Sequence, residues 1–284
     1  MESMQQFPRT MVGGRSLPRM IIGTNWLLGY SHTGAAADSF IRSLHDSARS
    51  IADVFVPFLE AGVDAVMGPI LGAPLLDDAI RMAEDTVSRR MIRIDTPTLN
   101  VDDTAAGRRE AEEKIAACKK LGADFCLIHH GSAEQLVNKN LRAIPRLPDY
   151  LKMIRDHDMI PGLSAHMPEL VLYSDANEYD VETYIQIFNC MGFLMQIEIE
   201  SVHRIIWSAK KPVMTIKPMA AGRCTPFVGI TFSYSVLRDC DMVTVGCLTP
   251  QEAREDIEIG LAAIERRPPV LAARSSPCKT DIIR

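Results

Sequence analysis

The sequence predicts a single closed (β/α)8 barrel of eight parallel strands, on three observations. Short apolar, β-branched runs alternate with amphipathic stretches eight times along the chain. No composition break or low-complexity linker separates these units. At 284 residues the chain also matches an α/β barrel of roughly 250 residues with terminal extensions. Alternating β and α units with near-continuously apolar strands imply parallel pairing. Eight of them favour closure over an open doubly wound sheet, the alternative arrangement. The barrel is expected over residues 1–266, with a proline-containing extended tail over 267–284 that lies on the surface or on a neighbouring copy.

The first strand is Met20–Gly23, followed by a polar loop through Gly34. A helix from about Asp46 to Glu60 places Ile51, Val54, Phe55 and Phe58 at three-and-four spacing, with Gly62 past its end. Pro57 works against its last turn. Val63–Met67 is the second strand, and the next helix carries Leu75, Leu76, Ala79, Ile80, Ala83 and Val87 on one face. Met91–Ile94 is the third strand, and Thr104 to Leu121 a charged helix stopped by Gly122. Phe125–Ile128 is the fourth, followed by a helix around Tyr150–Asp156. Ile160–Leu163 is the fifth, with a short helix from near Pro168. Thr183–Ile187 is the sixth, before a helix over Gln196–Ala209. Val213–Ile216 is the seventh, before a helix from Thr225 to Arg238. Met242–Val245 is the eighth, and Thr249-Pro250-Gln251-Glu252 opens the last helix with an N-cap, an N1 proline and a capping box.

A net charge of −5 without blocks of like charge argues against nucleic-acid and membrane-surface partners, which need a concentrated basic patch. No run approaches the roughly 20 apolar residues of a membrane helix. The first twenty residues lack the apolar segment of a secretory signal. Seven dispersed cysteines, none in a CxxC, read as reduced thiols of a cytoplasmic protein.

In a parallel barrel, chemistry gathers at the carboxyl ends of the strands. Those ends carry Asn25, Asp95, His129 and His130, Ser164 and His166, Gln186 and Asn189, Lys217, and Gly246. Three of the seven histidines fall on two strand ends; His32 lies in the first loop, and His45, His157 and His203 read as surface residues. Each candidate has a simpler alternative. The histidines can bond local carbonyls, Lys217 can be salt-bridged or face a phosphate, and Asp95 can make an Asx turn before Pro97. Their convergence on one rim points to a pocket for a small-molecule ligand.

From the fourth strand onward the sequence resembles the aldo-keto reductases. Ala123–His129 is similar to the family's fourth strand with its catalytic histidine, and Gly162-Leu163-Ser164-Ala165-His166 to its fifth. Tyr184–Asn189 is similar to the sixth, Lys217-Pro218-Met219-Ala220-Ala221-Gly222 to the phosphate-side loop, and Thr244–Glu252 to the last unit. The resemblance implies NADP(H), held by Ser164, Gln186, Asn189, Lys217, Gly222, Arg223, Gly246 and Arg254, and His129 as the family's catalytic histidine; the strand-end positions add His166, Lys217 and Asp95 as catalytic candidates. The family's Asp, Tyr and Lys positions fall here on Met67, on Leu71 or a neighbour, and on Asp95 or Thr96. Without the tyrosine and its lysine the family's proton donor is missing, so a different chemistry on a small polar carbonyl or hydroxyl compound is expected. The alternatives are a zinc- or manganese-dependent hydrolase or isomerase using Asp95, His129 and His166, a non-catalytic ligand-binding barrel, and a lysine-imine aldolase using Lys217. A homo-oligomer formed through the tail is the one protein partner anticipated.

Overall fold

A computed structural model describes residues 6–271. Eight parallel strands close into a barrel: β3 (Met20–Gly23), β4 (Ala65–Gly68), β5 (Ile92–Asp95), β6 (Phe125–Ile128), β7 (Ile160–Ala165), β8 (Thr183–Ile187), β9 (Val213–Ile216) and β10 (Met242–Val245), with β10 hydrogen-bonded to β3. The open-sheet alternative is excluded by that last pairing.

Alternation along each strand sorts its side chains. Ile21, Ala65, Met67, Phe125, Leu127 and Met242 point inward and pack with one another. Their neighbours Met20, Ile22, Val66, Cys126, Ile128 and Val243 point outward into the layer beneath the helices. The helices are α1 (Ala35–Leu44), α2 (Ala48–Glu60), α3 (Pro74–Val87), α4 (Ala105–Lys120), α5 (His130–Ala133), α6 (Leu147–Asp156), α7 (Glu169–Ala176), α8 (Ile199–Ser208), α9 (Pro226–Val236) and α10 (Pro250–Glu265). Side chains of Ser47, Thr104, Thr225 and Thr249 cap α2, α4, α9 and α10, satisfying amide groups that a helix start leaves free. The capping box of Thr249 and Glu252 forms as the spacing predicts.

Four differences from the sequence reading stand out. Pro57 is accommodated inside α2, which continues to Glu60. The polar loop after β3 leads into the extra helix α1. His45, expected at the surface, is buried at the end of α1. The fourth is a hairpin of β1 (Arg9–Val12) and β2 (Arg15–Pro18), turning on Gly13 and Gly14 at φ of 54° and 80°. Positive φ at both turn residues gives the tight connection that suits strand twist. Val12 and Leu17 of the hairpin join the inward cluster, and Gly13 lies against Ile160 at the start of β7. The hairpin therefore plugs the amino end of the barrel. The expected tail falls largely outside the described residues; Arg267 to Leu271 follow α10 without regular structure.

Candidate active site

With the amino end plugged, the accessible interior lies at the carboxyl ends of the strands, where a cavity of about 1080 Å³ opens. All eight strands or the loops directly after them contribute to its wall. Among the described residues no helix is long and apolar enough to cross a membrane.

Three imidazoles form the wall between β6 and β7. His129 ends β6, and its Nδ1 accepts from the Gly131 amide at 3.2 Å, opening α5. The His129 and His130 rings are 4.1 Å apart, and those of His130 and His166 stack at 3.8 Å and 16°. The backbone amides of His166 and Met167 both donate to the Glu134 carboxylate, which fixes the loop after β7. Among the described residues, the ring nitrogens of His130 and His166 have no protein hydrogen-bond partner. Burial holds His129 down to about 4, with His130 adding a smaller repulsion. Burial likewise holds His166 down to about 3, reinforced by His130 and Lys217. Neutral rings result at physiological pH, each offering one donor and one acceptor.

Facing this wall, Lys217 is the first residue after β9 and has a left-handed backbone at φ 63°. Its Nζ lies 2.7 Å from Nε2 of His32, itself at φ 57°. The His32 loop is pinned by Ser31, whose amide and hydroxyl donate to the Asp38 carboxylate of α1 at 2.8 and 2.6 Å. Burial lowers the Lys217 pKa to about 8. Trp26 of the same loop covers both Gly222 and Gly246, whose missing Cβ atoms would sit 3.5 Å from its ring.

Ser164, Lys217, Gly222, Arg223 and Gly246 line the cavity as the sequence reading placed them. Three expected cofactor contacts do not. Gln186 is fully buried, with its amide donating to the Ile187 carbonyl. The Asn189 side chain closes its own loop, accepting from the amides of Met191 and Phe193 and donating to the Phe193 carbonyl. Arg254 is exposed on α10 and donates to the Pro250 carbonyl.

Asp95 is at the rim but fully buried, and its two oxygens accept from the amides of Ile70 and Leu71 at 3.1 and 3.0 Å. Burial pushes its carboxyl up to about 6. It anchors the turn after β4, and the residue also lines the cavity. Among the described residues no three histidine, cysteine or acidic side chains are arranged to hold a metal ion. The set of Asp95, His129 and His166 is therefore not assembled, because the aspartate is committed to backbone amides. Six cysteines are described, all as free thiols.

Sequence reasoning passed over Trp26, Tyr30 and the partnership of His32. The contact between His32 and Lys217 spans 185 positions and leaves no local signal. An aromatic-rich loop directly after a barrel strand was the available clue.

No protein-family model and no curated protein matches the chain. Solved structures match in shape. A Pseudomonas aeruginosa protein assigned to the aldo-keto reductases superposes with a TM-score of 0.63 at 15% identity, over 93% of this chain and 100% of that one. An aldo/keto reductase from Brucella melitensis gives 0.56 at 14%, over 92% and 98%. An archaeal ribulose-1,5-bisphosphate carboxylase/oxygenase gives 0.54 at 10%, over 92% of this chain and 61% of that one. The fold is thus aldo-keto reductase-like and divergent in sequence, and it is shared with a barrel of quite different activity.

Proposed function

We propose that this aldo-keto reductase-like barrel is an enzyme acting on a small polar carbonyl or hydroxyl compound bearing an anionic group, without the catalytic set that the resemblance implies. The observation carrying this reading is the convergence of neutral imidazoles and the Lys217–His32 pair on one large cavity at the carboxyl rim. Ammonium and imidazole N–H groups suit a carboxylate or phosphate, and the same groups handle protons on an adjacent carbon–oxygen bond. Open ring nitrogens on His130 and His166 favour this over a purely ligand-binding barrel, in which protein partners would satisfy them.

The residues fit NADP(H) poorly. Met67, Leu71 and Thr96 line the cavity where the family's acid, phenol and lysine are expected. Of Ser164, Gln186 and Asn189, three of the expected cofactor contacts, only Ser164 lines the cavity. The same cavity lining includes Glu252, Glu255 and Asp256, acidic residues that disfavour a phosphate beside them. The proposed chemistry therefore uses the chain's own side chains.

Ligand-observed NMR with pyruvate and lactate tests the reading. Saturable binding is expected for the wild type, with loss in Lys217→Met at unchanged far-UV circular dichroism. In a Trp207→Phe variant Trp26 is the one remaining tryptophan, and its fluorescence is expected not to saturate with NADPH. Absence of pyruvate and lactate binding would overturn the substrate class, and saturable quenching by NADPH would restore the nicotinamide reading.

A further inference from the structure

We infer that Lys217 is an imine-forming nucleophile whose proton is taken by His32, and that it captures the carbonyl carbon of a small oxo-acid bound against the imidazole wall. The inference rests on the functional reading above and specifies its chemistry.

Two basic nitrogens at 2.7 Å share one hydrogen between them, so the Lys217 ammonium donates to a neutral His32 Nε2. Other lysines are tied to carboxylates: Lys139 to Glu169, Lys152 to Asp156, Lys211 to Glu182. Among the described residues Lys217 has no such partner, and nothing offsets the burial that weakens its proton. Its backbone is also held where L residues rarely sit, in a loop that repeats the left-handed conformation at Ala220, Ala221 and Gly222. Strain of this kind persists only where surrounding structure enforces it. Here Gly229 of α9 abuts Pro218, the residue after the lysine.

The reaction balances without an oxidant or reductant. His32 takes a proton from the ammonium, leaving the amine lone pair free to attack the carbonyl carbon. A C–N bond forms as the carbonyl π electrons move to oxygen, and a proton passes from nitrogen to that oxygen. The His32 imidazolium then protonates the hydroxyl, the C–O bond breaks, and water leaves. Ammonium and carbonyl have become a protonated imine and water, with His32 restored. The neutral rings of His130 and His166 meanwhile offer N–H donors to the acid group of the substrate.

The test is borohydride trapping on the full-length protein with pyruvate as probe, followed by peptide mapping. Lys217 is expected to carry the reduced adduct about tenfold faster than exposed Lys120 and Lys152, since only a deprotonated amine attacks. His32→Ala is expected to slow labelling of Lys217 about tenfold and leave Lys120 unchanged. Lys217→Arg removes the fast site while circular dichroism reports an intact fold. Labelling of Lys217 no faster than the exposed lysines would overturn the inference, and an unchanged rate in His32→Ala would overturn the role of His32. Pyruvate binding by NMR without trapping would refute the imine alone; loss of both refutes the functional reading as well.

Discussion

The two ends of the barrel are made by the same eight strands and treat charge in opposite ways. At the amino end several ion pairs hold the structure together. Asp124 holds Arg15 and Arg90, Asp64 holds Arg9, and Arg93 reaches Asp77 and Glu84. Asp241, fully buried, takes Arg238 together with the amides of Val213 and Arg238. At the carboxyl end four imidazoles and an ammonium face a cavity, and the Lys217–His32 contact joins two bases. Polar groups satisfied by the protein stabilise the fold; polar groups left open to a cavity are available to a ligand. One end secures the barrel and the other carries its chemistry.

Removing a partner from the secured end separates the two roles most sharply. Arg238→Met leaves the Asp241 carboxylate buried without its guanidinium, a change expected to cost about 3–5 kcal/mol of stability. Urea unfolding followed by circular dichroism measures it. Pyruvate binding at temperatures where the variant stays folded should match the wild type. Weakened binding there would mean that the two ends are coupled.

A smaller effect is expected where a helix supports the reactive loop from behind. A Cβ added at Gly229 would meet the Pro218 carbonyl oxygen at 2.4 Å and its carbon at 2.8 Å, both backbone atoms that cannot swing aside. Gly229→Ala should cost about 1–3 kcal/mol through overpacking. Gly229 does not line the cavity, yet the displaced loop should slow trapping of Lys217. Wild-type trapping rates alongside the stability loss would show that the strained loop is not held from α9.

The same contrast explains how much the sequence disclosed. Strands and helices follow from local periodicity, so β6, β8, β9 and β10 appear with the predicted ends. The Gly13-Gly14 turn of the plugging hairpin had a readable signature, but its flanking strands mix charged and apolar residues without clean alternation. Strand-end position correctly brought His129, His130, His166 and Lys217 to one cavity. Position alone does not fix which way a side chain turns. Asn189 and Asp95 sit at strand ends and spend their polar atoms on backbone amides. Such commitments depend on loop conformation, which periodicity does not encode.

A further prediction separates the two ends by pH. His129 and His166 are held near 4 and 3, below the ordinary histidine value of 6.5. Between pH 6.5 and 4 the unfolded chain binds protons that these folded imidazoles refuse, so stability falls as pH drops through that window. Asp95, raised to about 6 by burial, holds a proton in the folded state that the unfolded chain gives up above 3.8, and it opposes part of this fall. Paired carboxylates behave differently. The Arg155 bond lowers Asp180, just ahead of β8, so its contribution is present above pH 3.8 and is lost only on further acidification. Loss of stability between pH 6.5 and 4 therefore reports chiefly on the carboxyl rim, whereas below 3.8 the lowered carboxylates of both ends contribute, together with His166 down to about 3. Replacing His129 and His166 together by asparagine should flatten the urea midpoint over the upper window and leave only the carboxylate-linked loss below pH 3.8. Parallel curves for the two proteins would mean that the imidazole wall titrates like exposed histidine, and the contrast between the ends would lose its electrostatic basis.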